Sequence, residues 1–197
     1  MDLTILGASG ATGRELIRQA LERGHTVTAI SRSPVPGVLH VAADVRDSTA
    51  IAAALAGRAT ILSGLGNVRG ADPGVLTAGA RAVVAARPER IVWLGAFGSG
   101  PSAAAAGPVI RAVLRMLGDL PDKVAADALV LRAGGTVFHA GPLTNGPLSD
   151  TPRTAELDAA PRRLFPARVS RATVAAAMLD EAEKPAHAGT IALPLTA

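Results

Sequence analysis

The chain has 197 residues, 49% of them hydrophobic and 18% charged, with a formal net charge of +4 and no cysteine. That length and apolar content exclude a disordered tail and predict one domain over residues 1–197 with a full core. The missing cysteines exclude disulfides and thiolate metal sites. The basic residues are scattered, almost all arginine, and form no stripe for nucleic acid. No apolar run is long enough to cross a bilayer, and Asp2 stands where a leader would carry basic residues, so a cytoplasmic chain away from membranes is expected.

The chain opens with an apolar strand at residues 3–6. It runs through Gly7-Ala8-Ser9-Gly10-Ala11-Thr12-Gly13 into a helix over 12–23. Strand, spaced glycines and helix start together make the context of a dinucleotide site. Gly7 permits the tight turn, Gly10 lets a pyrophosphate approach the backbone, and Gly13 lets helix and strand pack closely. Ser9, Ala11 and Thr12 complete the loop, whose helix N-terminus turns free N–H groups toward the phosphates. Gly24 suits the C-terminal stop of that helix.

The second strand, 26–30, ends in Ser31-Arg32-Ser33. No acid is there to take both ribose hydroxyls, the feature that selects NAD. Arg32 offers a planar cation to a 2′-phosphate, and Ser31 or Ser33 a hydrogen bond, so NADP(H) is the expected cofactor. The competing reading of Arg32 is a solvated loop residue. After the third strand, 38–41, Asp44 either accepts from the adenine amino group with Val45 over the ring, or closes a capping turn. Asp47 or Ser48 caps a helix over 48–55. A fourth strand, 60–62, leads to Ser63-Gly64-Leu65-Gly66-Asn67. These small residues are expected to line the bridge from pyrophosphate to nicotinamide ribose.

Further strands are predicted at 90–94, 136–140 and 190–193, and helices at 74–86, 103–117, 123–133 and 171–183. Residues 141–166, rich in proline and without a period, read as an extended loop on the substrate side of the cleft. The alternation predicts an α/β fold, a mostly parallel sheet covered by helices.

With these residues in hand, the chain resembles the short-chain dehydrogenase/reductase superfamily. More closely it resembles the atypical NAD(P)H-binding branch of NmrA-like proteins and biliverdin-IXβ/flavin reductases. The glycine loop, Ser31-Arg32, Ala43-Asp44-Val45 and Arg90-Ile91-Val92-Trp93-Leu94 carry the likeness. So do Lys123 with Asp127, Gly135-Thr136-Val137-Phe138 leading to Leu143-Thr144, and Val169-Ser170-Arg171-Ala172-Thr173-Val174-Ala175. The resemblance implies a Rossmann-like doubly wound sheet with its first half ordered 3-2-1-4-5. It places residues 95–99 against the nicotinamide.

The chain departs from the superfamily at its proton donor, a tyrosine four residues before a lysine. It contains no tyrosine. If Lys123 is the family lysine, Asp119 holds the tyrosine position, and Gly95-Ala96 the serine position. A carboxylate that is charged at neutral pH donates no proton readily. Alcohol dehydrogenase chemistry by that triad is therefore excluded as the expectation.

Hydride transfer itself needs geometry rather than a protein acid. The chain thus suits an NADPH-dependent reductase of a flavin, quinone or related conjugated acceptor, a small molecule that takes its proton from solvent. Ser99, Ser102, His139 and Lys123 are the candidate polar groups near the acceptor. His139 either orients the acceptor and relays a proton, or is a hydrogen-bonded core residue at a strand end. No metal-ligand spacing occurs among the four histidines, and Gly98-Ser99-Gly100 is too short for a nucleophile elbow. The alternative is a non-catalytic NADP(H) sensor, resembling NmrA-like regulators, in which occupancy orders 141–166 for a protein partner. A monomer or homodimer is expected. An open pocket between 95–102 and 141–148 favours the reductase, and a filled one the sensor.

Overall fold

The structure, a computed structural model, describes residues 1–66, 73–104, 120–157 and 167–195. Its elements in chain order are β1 (Asp2–Leu6), α1 (Ala11–Glu22), β2 (Thr26–Ser31), β3 (Leu39–Ala42), α2 (Ser48–Leu55), β4 (Thr60–Ser63), α3 (Val75–Ala85) and β5 (Arg90–Ala96). After a 3-10 turn (Gly100–Ala103) come α4 (Leu120–Arg132), β6 (Thr136–Ala140), β7 (Leu143–Thr144), β8 (Arg153–Glu156), β9 (Val169–Ser170), α5 (Arg171–Glu183) and β10 (Ile191–Leu195). The helix expected at 103–117 lies almost wholly outside the described residues.

The main sheet runs β3-β2-β1-β4-β5-β6-β10-β8, and every neighbouring pair is parallel except β10 with β8. This is the Rossmann-like α/β fold. Side chains on a strand alternate between its two faces. In β1, Leu3 and Ile5 join the core shared with α1 and α5, while Leu6 joins the core shared with α2, α3 and α4. Both faces are buried, which is why these strands read as nearly continuous apolar runs. The chain turns outward from β1 through β2 and β3, then returns to lay β4 on the other side of β1. That reversal leaves a crevice at the carboxyl ends of β1 and β4.

The helix ends are built in different ways. Gly24, at φ +77°, donates to the Leu21 carbonyl, and His25 donates to that of Ala20. This is the left-handed C-terminal stop that glycine permits. Asp47 caps α2 by accepting from the Thr49 and Ala50 N–H groups, and Ser170 caps α5 through the Thr173 N–H. Helix α3 begins after Gly74, which has no side chain to offer. Its first turn is capped by Asp122 of α4, which accepts from the N–H groups of Leu76 (3.0 Å) and Thr77 (2.9 Å).

The region 141–166, expected as an extended loop, holds two short strands among its described residues. It contains β7, which pairs with β9, and β8, which closes the sheet edge antiparallel to β10. Strand β8, Arg-Thr-Ala-Glu, follows Pro152 and carries charges at both ends. Such a short polar strand is what protects a sheet edge, and it gives no apolar alternation to read. Among the described residues, no helix is long and apolar enough to cross a membrane.

Candidate functional site

The glycine loop wraps the carboxyl end of β1. Gly7 turns at φ +75°, and a Cβ there would stand 2.9 Å from the Leu65 amide nitrogen. At Gly13 a Cβ would stand 2.3 Å from the Gly7 carbonyl oxygen. Gly64, at the end of β4, packs on the same turn, where a Cβ would lie 3.1 Å from the Gly13 nitrogen. Gly10 differs: its Cβ would meet only the Gly7 carbonyl oxygen, at 3.2 Å, and the residue is exposed. Gly10 is also the N-cap of α1, with no side-chain cap bond. Ala11 is exposed, Ser9 half-buried and Thr12 buried at the start of the helix. An uncapped, partly exposed helix N-terminus beneath a collar of obligatory glycines suits a pyrophosphate.

At the ends of β2 and β3 the structure brings Arg32 and Asp44 together. The Arg32 guanidinium lies 3.9 Å from the Asp44 carboxylate, and the arginine side chain is 77% exposed. Asp44 also closes a turn, accepting from the Arg46 N–H at 3.0 Å through its side chain and from Asp47 through its carbonyl. Ser31 is buried, and its hydroxyl donates to the Ser33 carbonyl at 2.7 Å. Ser33 is exposed. Val45 is buried in the core between α2 and α3.

A cleft of about 220 Å³ opens at the carboxyl ends of β4, β5 and β6. One side carries Leu65 and Gly66 of the β4 loop and Leu76 of α3. The floor is Leu94, Gly95 and Ala96. The far side holds Ala140, Gly141 and Leu143, and Lys123 and Asp127 of α4 complete the lining. The Leu65 amide donates to Ser63 Oγ at 3.3 Å, which fixes the loop that joins this cleft to the glycine turn. Asn67 and Asp119 lie outside the described residues.

Ser99 and His139 stand behind that wall, fully buried. His139 Nε2 is 3.0 Å from Asp127 Oδ2, and Nδ1 is 2.7 Å from Ser102 Oγ. Ser99 donates to the Ala96 carbonyl at 2.7 Å and reaches Asp127 Oδ2 at 3.2 Å. Ser102 Oγ accepts from the Gly98 N–H. An ionised carboxylate only accepts, so Nε2 of His139 carries its proton. Gly95 makes room for this cluster: a Cβ there would lie 2.8 Å from His139 Cδ2 and 3.0 Å from Asp127 Oδ1. Asp127 is the residue whose central place the sequence did not reveal as a site. Its signals were its pairing with Lys123 in the family resemblance and its position one helical turn after that lysine, on the same helix face.

No cofactor is present. The glycine cradle that added side chains would fill, and the uncapped α1 terminus, fit a dinucleotide. A family model described as NAD(P)H-binding matches residues 7–185. No curated protein sequence matches the chain. Among solved structures, the anaerobilin reductase ChuY of Escherichia coli O157:H7 superposes with a TM-score of 0.81 at 20% identity, over 99% of this chain and 97% of that one. A Burkholderia pseudomallei protein described as exported gives 0.76 at 26% identity, over 98% of both chains. A Streptococcus pneumoniae protein described as an NADH-flavin reductase gives 0.78 at 17% identity, over the whole of both chains.

Proposed function

Because the chain belongs to the NAD(P)H-binding family, we propose that it is an NADPH-dependent reductase of a small conjugated acceptor such as a flavin or quinone. The observation that carries this reading is the cleft between Gly95-Ala96 and Gly141-Leu143, which is open and largely apolar. Two of the fold relatives are themselves named as reductases.

In this reading the N–H groups of Ala11, Thr12 and Gly13 take the pyrophosphate, with Gly7, Ser9 and Gly10 shaping its approach. Arg32 takes the 2′-phosphate, exchanging its distant contact with Asp44 for a bidentate one, and Ser31 and Ser33 shape that turn. Asp44 and Val45 bound the adenine side, and Gly64, Leu65 and Gly66 carry the chain past the nicotinamide ribose. Bound NADPH supplies the hydride. The protein's part is to hold the acceptor flat in the cleft, exclude water, and place charge where it is needed. Lys123 lies in the cleft wall, and its ammonium offsets the negative charge that the acceptor gains. The proton that completes the reduction comes from solvent. His139 and Ser99 act through Asp127, which they hold from behind.

The test is NADPH oxidation by the purified protein with FMN, riboflavin and quinones, and NADH as the control. Turnover well above the uncatalysed rate, with NADPH preferred, supports the reading. A protein that binds NADPH and turns over no acceptor favours the sensor.

A further inference from the structure

Gly79 lies inside α3, on the same buried face as Leu76 and Val83. Glycine is a poor residue there, because it has more backbone freedom to lose than alanine has. The packing around it does not demand a bare backbone. A Cβ at Gly79 would lie 3.5 Å from Trp93 Cη2 and 3.5 Å from Val45 Cγ1, which is ordinary contact, and no backbone atom of another element is among its three nearest neighbours. One atom alone stands in its way, Leu65 Cδ1 at 2.5 Å. The glycine therefore makes room for a single methyl group, the tip of a side chain from the loop after β4.

Leu65 cannot create that room by moving its own backbone. Its amide donates to Ser63 Oγ, and the glycine turn lies so close that a Cβ on Gly7 would stand 2.9 Å from the Leu65 nitrogen and 3.0 Å from its Cα. Only the side chain is free to turn. Leu65 is half-buried and lines the cleft together with Leu76, which precedes Gly79 by one helical turn on the same face. The leucine thus borders α3 on one side and the cleft on the other.

We propose that Gly79 is a positioning residue that sets the size of ring the cleft admits: it gives Leu65 a seat on α3 and so keeps that side chain out of the space of the hydride acceptor. The inference rests on the reductase reading above. With any side chain at position 79, Leu65 Cδ1 must withdraw by about 1 Å or more to regain an ordinary separation of about 3.5–4.0 Å. Helix α3 does not yield, because Asp122 ties its first turn to α4. The isobutyl group therefore turns away from the helix and into the cleft. That cleft holds about 220 Å³, of which a displaced leucine side chain takes a large share. The obstacle is the far end of a flexible chain rather than fixed backbone, so Gly79→Ala folds and its effect falls on ligand size.

The experiment is equilibrium binding of riboflavin, with three fused rings, and menadione, with two, to the NADP-loaded protein, alongside the affinity for NADP itself. Gly79→Ala is expected to weaken riboflavin by about tenfold, as for overpacking at one contact, and menadione by less, with NADP affinity unchanged. Adding Leu65→Ala to Gly79→Ala removes the displaced group and is expected to bring riboflavin back to the affinity of Leu65→Ala alone. Leu65→Phe fills the cleft from the other partner, leaves α3 untouched, and is also expected to weaken riboflavin. Wild-type riboflavin affinity in Gly79→Ala overturns the proposal, and so does an equal loss for both probes, which is no measure of size. A loss that persists in the double variant overturns it too, since a shifted α3 would behave that way. A matching loss of NADP affinity assigns the seat to the cofactor and overturns it as well. If Gly79→Ala does not fold, Leu65→Phe decides, and undiminished riboflavin binding there is the refuting result. The reductase reading fails separately: a wild type that binds neither probe and oxidises no NADPH with them refutes that reading, and the proposal falls with it.

Discussion

Substituting Gly13 by alanine measures how tightly the glycine turn is packed. The added Cβ would lie 2.3 Å from the Gly7 carbonyl oxygen, 2.7 Å from Ala8 Cα and 2.8 Å from the Ala8 carbonyl oxygen. All three are backbone atoms, so no side chain can rotate aside, and α1 must retreat from the loop by about 1 Å to restore contact. Alanine in place of glycine inside a helix returns about 1 kcal/mol. Overpacking against fixed atoms costs about 3 kcal/mol, the upper end of its usual range. The clash wins by about 2 kcal/mol, which lowers Tm by roughly 4–8 °C for a chain of this size. Gly10→Ala is the contrast. Its Cβ meets one atom at 3.2 Å, and a poorer N-cap costs about 0.5–1 kcal/mol, so Tm falls by roughly 4 °C or less. Its methyl group instead occupies the phosphate approach, and NADPH affinity falls by about tenfold or more, the loss of one good charge-assisted contact. Thermal melting and NADPH fluorescence titration of both variants check this. A Gly13→Ala protein as stable as the wild type refutes the packing argument. A Gly10→Ala protein with full NADPH affinity removes the pyrophosphate from this loop.

Other outcomes follow from single contacts. Arg32→Ala is expected to weaken NADPH by about tenfold or more and leave NADH nearly unchanged, since its target is the 2′-phosphate; equal weakening of both, by titration, denies Arg32 that role. Asp122→Ala removes the remote cap of α3 and is expected to cost about 2 kcal/mol, seen as a Tm lower by roughly 4–8 °C; an unchanged melt would show the first turn of α3 satisfied by other donors and acceptors. Glu183 is pushed up by partial burial, but hydrogen bonds from His25 and Arg23 outweigh this and hold its carboxyl below the usual range. A lowered folded-state value gives stability present above the unfolded value and lost as pH falls through the folded one. Glu183→Gln should therefore melt below the wild type at pH 7, and the gap should close toward pH 3; a gap that widens on acidification contradicts the assignment.

The first half of the sheet was legible because each signal was local. A glycine turn between an apolar strand and a helix specifies its geometry within ten residues, and Gly24, Asp47 and the apolar strands each act within one turn or one pleat. The order β3-β2-β1-β4-β5 then followed from the family resemblance. Strand β8 was hidden because its stability comes from its partner β10 rather than from its own polar residues. Asp122 was silent because the N–H groups it caps belong to Leu76 and Thr77, brought near only by the packing of α3 on α4. The Asp127 cluster gathers side chains from α4, β6 and the turn after β5. Sequence spacing does not join the Ser99–Ser102 turn to Asp127 or His139; the parallel register of β5 and β6 and the packing of α4 on those strands do.

The two flanks of the cleft differ in how they yield. On one flank, Leu76 and Lys123 sit beside the carboxylate of Asp122, which ties the start of α3 to α4 through buried bonds. On the other, Leu143 belongs to a two-residue ladder, β7 on β9. Local opening begins where the fewest buried bonds must break. On the proposed reading, a bulkier acceptor would be accommodated by displacing the Leu143 flank, with the α3–α4 flank as the fixed datum against which ligand size is gauged. Amide exchange would register that division, slow at Leu76 and Thr77 and fast at Leu143 and Thr144. Altering the range of acceptor sizes would then be a matter of editing residues 141–144 and leaving the helices alone.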